Sequence, residues 1–152
     1  MTLCIAANAA AKYATVGAEP FANIRSCGAE TCKVKWKAWR FTPLYMSAVS
    51  KDKKWVQVRN FAGHTGWIYH TSLSTVKGLT AMDDVNIRMG PGSSYDVACT
   101  VGKGYPLKFI SNPGKGWIQV QDEPENAGGA VCKGWVTASF VWGPRAKGES
   151  KD

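Results

Sequence analysis

Ala22-Asn23-Ile24-Arg25 and Val85-Asn86-Ile87-Arg88 stand 63 positions apart. Each opens a stretch that runs without a gap to a Pro-Leu pair, Pro43-Leu44 and Pro106-Leu107. Six of the 23 aligned positions are identical: Asn23/Asn86, Ile24/Ile87, Arg25/Arg88, Val34/Val97, Pro43/Pro106 and Leu44/Leu107. Ordinary composition supplies roughly one or two. Further on, Trp55-Val56-Gln57-Val58 aligns with Trp117-Ile118-Gln119-Val120, and Gly66-Trp67-Ile68 with Gly134-Trp135-Val136. The two tryptophans of a copy are 12 residues apart in the first and 18 in the second. Asp122–Ala130, polar and rich in Gly, Glu and Asn, accounts for the excess as a longer hairpin tip. The chain is a duplication.

Each copy has the pattern of an all-β unit. Lys33-Val34-Lys35-Trp36-Lys37-Ala38 alternates charged and apolar residues, the period of a half-buried strand. Short strand-forming runs recur between Gly, Asn, Asp and Pro at spacings of roughly ten residues. No segment sustains a 3.6-residue period with caps, so little helix is expected. Short strands in units of about 55–60 residues imply small barrels. The expected division is a leader and linker over 1–20, first barrel over 21–76, second over 77–143 and polar tail over 144–152. The short Ser74–Gly78 connection implies that the barrels touch.

The 152 residues, 45% of them apolar, exclude a disordered chain. No run of ~18 apolar residues provides a membrane-spanning helix. Met1–Ala11 is a short apolar stretch with two A-x-A patterns, Ala7-Asn8-Ala9 and Ala9-Ala10-Ala11, as at a secretory cleavage site. It lacks a leading Lys or Arg, and an Ala-rich first helical turn is the alternative. Cleavage after Ala9 or Ala11 would remove Cys4 and leave four cysteines, an even number suited to an exported disulfide protein.

Val85-Asn86-Ile87-Arg88-Met89-Gly90-Pro91-Gly92-Ser93-Ser94-Tyr95 resembles the opening signature of bacterial SH3-like domains. Val101-Gly102-Lys103-Gly104, Gly116-Trp117-Ile118-Gln119-Val120 and Gly134-Trp135-Val136 resemble the turn and strands that follow. The first copy matches loosely at its start, where Ser26-Cys27-Gly28-Ala29-Glu30-Thr31-Cys32 replaces the Gly-Pro-Gly segment, and well in its later half. The resemblance covers about residues 21–143 and implies two tandem small SH3-like β-barrels. It further implies an exported protein, periplasmic or secreted, with peptidoglycan or an envelope protein as partner.

Aligning the copies places Cys99 opposite Trp36 and Cys132 opposite His64. Two positions that change together suggest contact, so a Cys99–Cys132 disulfide is expected, with Trp36 packed on His64 in the first copy. Cys27 and Cys32 would close the loop that lost its Gly-Pro residues. C-x4-C without a second pair, and with only two histidines, argues against a metal site. No cofactor is expected.

Ala22–Val76 contains nine Lys/Arg and two Asp/Glu, whereas Lys77–Gly143 contains six of each. The formal +8 of the chain is therefore almost wholly a property of the first copy. Lys33, Lys35 and Lys37 share an outward face, either as a solvated strand that discourages edge pairing or as a basic patch. Trp39 follows the same alternation and could offer an aromatic platform. Candidate ligand contacts are Trp39, Arg40, Tyr45, Trp55 and Arg59 in the first copy, with Tyr95 and Trp117 in the second. Trp55, Trp67, Trp117 and Trp135 recur at equivalent positions, which favours packing. Arg25 and Arg88 recur too, placed to brace turns through carbonyl oxygens.

Neither cysteine pair has a catalytic His constellation, and the carboxylates of the second copy cluster before a strand and at a hairpin tip. The expected function is a non-catalytic exported module that binds cell-envelope material. Nucleic-acid binding by Lys-striped barrels and a purely structural adaptor role are the alternatives. Signal cleavage would argue against a nucleic-acid partner.

Overall fold

The computed structural model describes residues 12–122 and 131–144. The first sheet contains β1 (Tyr13–Val16), β2 (Phe21–Arg25), β3 (Val34–Trp39), β4 (Pro43–Val49), β5 (Trp55–Arg59), β6 (Thr65–Tyr69) and β7 (Leu73–Ser74). The second contains β8 (Gly78–Ala81), β9 (Val85–Arg88), β10 (Val97–Val101), β11 (Pro106–Ser111), β12 (Trp117–Gln121), β13 (Lys133–Thr137) and β14 (Val141–Trp142). Their strand orders, β3-β2-β6-β5-β4-β1-β7 and β10-β9-β13-β12-β11-β8-β14, are the same order displaced by seven strands. A 3-10 turn, His70–Ser72 or Ala138–Phe140, precedes the last strand of each sheet, and the described residues contain no α-helix. The fold is all-β: two antiparallel sheets, each wrapped around its own core as a small SH3-like barrel.

The cores repeat as the sequence does. Ile24/Ile87, Leu44/Leu107, Val56/Ile118, Val58/Val120 and Ile68/Val136 are the buried centres of the two clusters. Gly66 and Gly134 sit where β6 and β13 cross β2 and β9. A side chain on Gly134 would strike the Arg88 carbonyl, and one on Gly66 would strike Ile24. Arg25 Nη1 donates to the Cys32 carbonyl and Arg88 Nη1 to the Tyr95 carbonyl, each at 3.0 Å. Both arginines thus tie down the loop that follows their own strand.

The first unit starts earlier than the expected boundary at residue 21. Ala14 pairs with Leu44, Thr15 with Pro43 and Val16 with Leu73, which places β1 in the sheet between β4 and β7 and not in a linker. The second unit does the same with Leu79 opposite Leu107 and Thr80 opposite Pro106. Only the buried threonine, Thr15 or Thr80, is identical between these four-residue strands, so self-comparison does not detect them. The candidate cleavage sites, Cys4 and the tail beyond Pro144 lie outside the described residues.

Cys27–Cys32 and Cys99–Cys132 are disulfides, with Cα separations of 5.6 and 6.3 Å. Asp122, expected at the exposed hairpin tip, is instead buried at the end of β12. Its N–H donates to the Cys132 carbonyl at 2.7 Å, and Tyr105 Oη donates to its carboxylate at 2.6 Å. Burial first, then the Asp122 carboxylate, pushes the Tyr105 phenol well above its ordinary range.

The two units are in contact. The Gly78 N–H donates to Thr15 Oγ1 across the junction at 3.2 Å, and a Cβ on Gly78 would collide with the Phe41 carbonyl. Phe41 is buried there with a positive φ of 70°. The Trp142 ring of the second unit meets Tyr13 of the first edge-on, with centroids 5.2 Å apart.

Candidate functional site

The β2–β3 hairpin places the most distinctive surface of the first unit. Alternation along β2 buries Ala22 and Ile24 and turns Phe21, Asn23 and Arg25 the other way. Across the ladder Phe21 pairs with Trp39 and Asn23 with Lys37. Lys33, Lys35, Lys37 and Trp39 are all exposed, Trp39 by 46%. The Trp39 and Phe21 rings meet edge-on at 5.3 Å, and Lys37 Nζ lies 4.4 Å from the Phe21 ring centroid. The result is a cationic stripe ending in an aromatic pair. One ring of that pair is open to stack on a ligand, and the ammonium beside it can pair with an anion.

On the other side of β2 lies an open groove of about 250 Å³. Phe21, Asn23 and Arg25 form one wall, Trp55 and Tyr69 another, and Glu30 projects from the Cys27–Cys32 loop. Trp55 is only 6% exposed and meets Tyr69 edge-on at 5.3 Å. The disulfide loop packs closely, with Gly28 against Trp55 and Trp67. Arg25 holds this loop through the Cys32 carbonyl. The loop that replaces a Gly-Pro turn therefore builds a wall of the groove.

The other candidate residues are spread over the molecule. Arg40 is ion-paired with Glu19, and its guanidinium lies 4.7 Å from the Phe41 ring centroid. Tyr45 and Arg59 pair across β4–β5 at the junction of the units. The Arg59 guanidinium lies 4.9 Å from the Tyr45 ring centroid and 5.9 Å from that of Trp142. Tyr13 packs edge-on against Tyr45 at 5.6 Å. These two candidates therefore join the units and do not extend the Trp39 surface. Tyr95 is exposed and its ring covers Gly90, while Trp117 is half-buried at the start of β12. The sequence reading did not single out Phe21, Asn23, Glu30 or Tyr69. Phe21 was detectable from the alternation that it shares with Asn23 and Arg25.

A second open cleft, about 450 Å³, is lined by Lys35, Trp36, Gly63, His64 and Thr65. Lys35 Nζ and Trp36 Nε1 both donate to the Thr65 carbonyl, at 2.9 and 3.0 Å.

The second unit lacks the cationic face. Asp84 stands where the first unit has Phe21, and Gly102 replaces Trp39. Asp96, Ala98 and Thr100 replace Lys33, Lys35 and Lys37. Thr100 Oγ1 donates to Asn86 Oδ1, and Asp84 accepts the Lys103 N–H. Among the described residues no His, Cys, Asp and Glu side chains gather in a group able to hold a metal ion. No helix among them is long and apolar enough to cross a membrane.

Residues 83–141 match the family model described as bacterial SH3 domain. Over 105 residues the chain is 26% identical to YrvJ of Bacillus subtilis (strain 168), provisionally named an N-acetylmuramoyl-L-alanine amidase. That alignment covers 61% of this chain and 19% of YrvJ, so the chain spans about a fifth of that relative's length. Among solved structures, NlpC2 from Trichomonas vaginalis is 8% identical, with 92% of this chain and 50% of that one covered and a TM-score of 0.40. NlpC1 from the same organism is 9% identical, with 86% and 45% covered and a TM-score of 0.37.

Proposed function

With residues 83–141 forming a bacterial SH3 domain, we propose that this chain is an exported, non-catalytic module that binds cell-envelope material, and that its first unit makes the decisive contact. The observation that carries this reading is the exposed Trp39 against Phe21, with Lys33, Lys35 and Lys37 beside it. An open indole stacks on a sugar ring or a peptide plane, and the lysines attract the carboxylates or phosphates of an envelope polymer. The groove behind β2 adds Asn23, Arg25 and Glu30, groups able to hydrogen-bond a peptide in one orientation. Peptidoglycan, or a protein bound to it, is the proposed partner. The relative named for an activity on N-acetylmuramoyl-L-alanine supports a setting in the cell wall.

The cysteines support a binding role over a catalytic one. Cys27, Cys32, Cys99 and Cys132 are tied in disulfides and present no thiolate nucleophile. Both histidines face aromatic rings, His64 beside Trp36 and His70 beside Tyr69.

Sedimentation with purified sacculi tests the proposal. The chain is expected to pellet with the wall and resist moderate salt, and Trp39→Ala is expected to release it. A chain that stays in the supernatant while it retards a single-stranded oligonucleotide would favour the nucleic-acid alternative. A chain that binds neither, but captures an envelope protein, would make it an adaptor.

A further inference from the structure

We propose that the open cleft between β3 and the β5–β6 turn of the first unit binds a peptide by its free carboxylate, held by Lys35 and His64 beside the Trp36 ring. The cleft, about 450 Å³, is lined by Lys35, Trp36, Gly63, His64 and Thr65. Its acceptors are already engaged. The Thr65 carbonyl accepts from Lys35 Nζ at 2.9 Å and from Trp36 Nε1 at 3.0 Å, which occupies both of its lone pairs. Asn60 Oδ1 accepts the N–H groups of Ala62 and His64, each at 3.0 Å. The Asn60 and His64 carbonyls accept the Gly63 and Asn60 N–H groups within the turn. Its donors are left over. With Oδ1 so engaged, the Asn60 amide turns Nδ2 toward His64 Nδ1, 3.5 Å away. The His64 ring, neutral or charged, therefore keeps its Nε2–H as a donor. Lys35 keeps two further N–H groups beyond the one bound to Thr65.

A site left with donors selects a group that only accepts. Lys35 gives it a positive charge, and Glu30 and Asp52, the acids of Ala22–Val76, do not line it. Donors on two separate elements, one of them cationic, match the two oxygens of a carboxylate. The cleft has the size of a small-ligand site, so it takes a length of chain beyond the carboxylate. The Trp36 ring offers that chain a flat apolar surface. Together these features fit the end of a peptide better than a bare phosphate. The second unit is built without the site. Ala98, Cys99 and Cys132 stand in place of Lys35, Trp36 and His64, and a disulfide closes the point where the cleft opens. The inference rests on the proposed function only for the source of the peptide, in envelope material; the binding itself is testable without a wall.

Titration of the isotope-labelled full chain with the dipeptide acid N-acetyl-alanyl-alanine, followed by nuclear magnetic resonance, tests the proposal. Saturable shifts are expected at the Trp36 indole N–H and the His64 ring, with the Ala98 and Cys99 amides unmoved. The C-terminal amide of the same dipeptide, and inorganic phosphate, should each bind about tenfold more weakly or worse. Lys35→Gln and His64→Phe should each weaken binding of the acid about tenfold. The same spectra establish that each variant is folded, and if one misfolds, the other and the acid–amide comparison still decide. No saturable shift at the cleft, equal binding of acid and amide, phosphate as tight as the acid, or variants that bind undiminished each overturn the proposal. A chain that pellets with sacculi but ignores the dipeptide overturns this site alone. One that binds the dipeptide but does not pellet overturns the wall-binding reading and supports this site.

Discussion

The Trp36 and His64 rings meet at a tilt, with centroids 6.5 Å apart, at the place where the second unit has the Cys99–Cys132 disulfide. One fold closes the same point by a ring contact in one copy and a covalent bond in the other. The ring contact leaves an open cleft beside it; the bond ties β10 to the chain entering β13.

Removing that bond should act on the second unit alone. Cys99 and Cys132 are 33 residues apart, a loop whose closure contributes about 3–4 kcal/mol through the unfolded chain. Cys99→Ser with Cys132→Ser should lower the denaturant midpoint of the second unit by a corresponding amount. The Cys27–Cys32 loop, with a separation of five, contributes about 2 kcal/mol. Fluorescence-detected denaturation with and without reductant measures both, and equal losses would contradict the assignment.

Charge and stacking should separate in binding. Changing Lys33, Lys35 and Lys37 together to Gln should flatten the salt dependence of sacculus binding. Trp39→Ala should weaken binding about tenfold at every salt concentration, as loss of an anchoring aromatic does. Both changes should cost thermal stability little, since all four side chains are exposed and their contacts with Phe21 and Thr65 lie at the surface. Binding isotherms at several salt concentrations, read beside melting curves, check both statements.

Tyr105 should give the second unit an alkaline limit. Its phenol ionises less readily in the fold than at the ordinary value of 10.0, because it is partly buried and donates to Asp122. The folded state therefore holds a proton that the unfolded chain gives up. This contribution is complete below about pH 10 and lost as pH rises through the higher folded value. Unfolding midpoints between neutral and strongly alkaline pH should fall along that limb. Tyr105→Phe should remove this part of the slope, at a cost of about 1–3 kcal/mol at neutral pH for the lost donor to a buried carboxylate.

Gly78→Ala should strain the junction. Its new Cβ would meet the Phe41 carbonyl, a backbone atom that cannot yield without moving the β3–β4 turn or β8. A loss of about 1–3 kcal/mol is expected, with faster proteolysis of the connection at residues 75–77. Gly63→Ala is the contrast. It also changes a glycine, at a φ of 87°, but into open space, so only the conformational cost of about 1 kcal/mol applies. A melting-temperature series across both variants separates the two costs.

The sequence by itself determined the duplication, the all-β class and the loop-bracing arginines. Each rests on local periodicity or on identity at a fixed offset, as in Asn23-Ile24-Arg25 and Asn86-Ile87-Arg88. It also carried the asymmetry of charge, because Lys33, Lys35 and Lys37 turn outward with the period of a strand whatever lies beside them. Only the tertiary structure decided where these features meet. β1 is four residues long and shares one identity with β8, so its place in the barrel follows from pairing with β4 and β7. Tyr45 and Arg59 have the chemistry of a ligand site, but Trp142 and Tyr13 reach them from far along the chain and make them a joint. Phe21, Tyr69 and Glu30 come from three separate segments, and the groove they share exists only once the sheet brings those segments together.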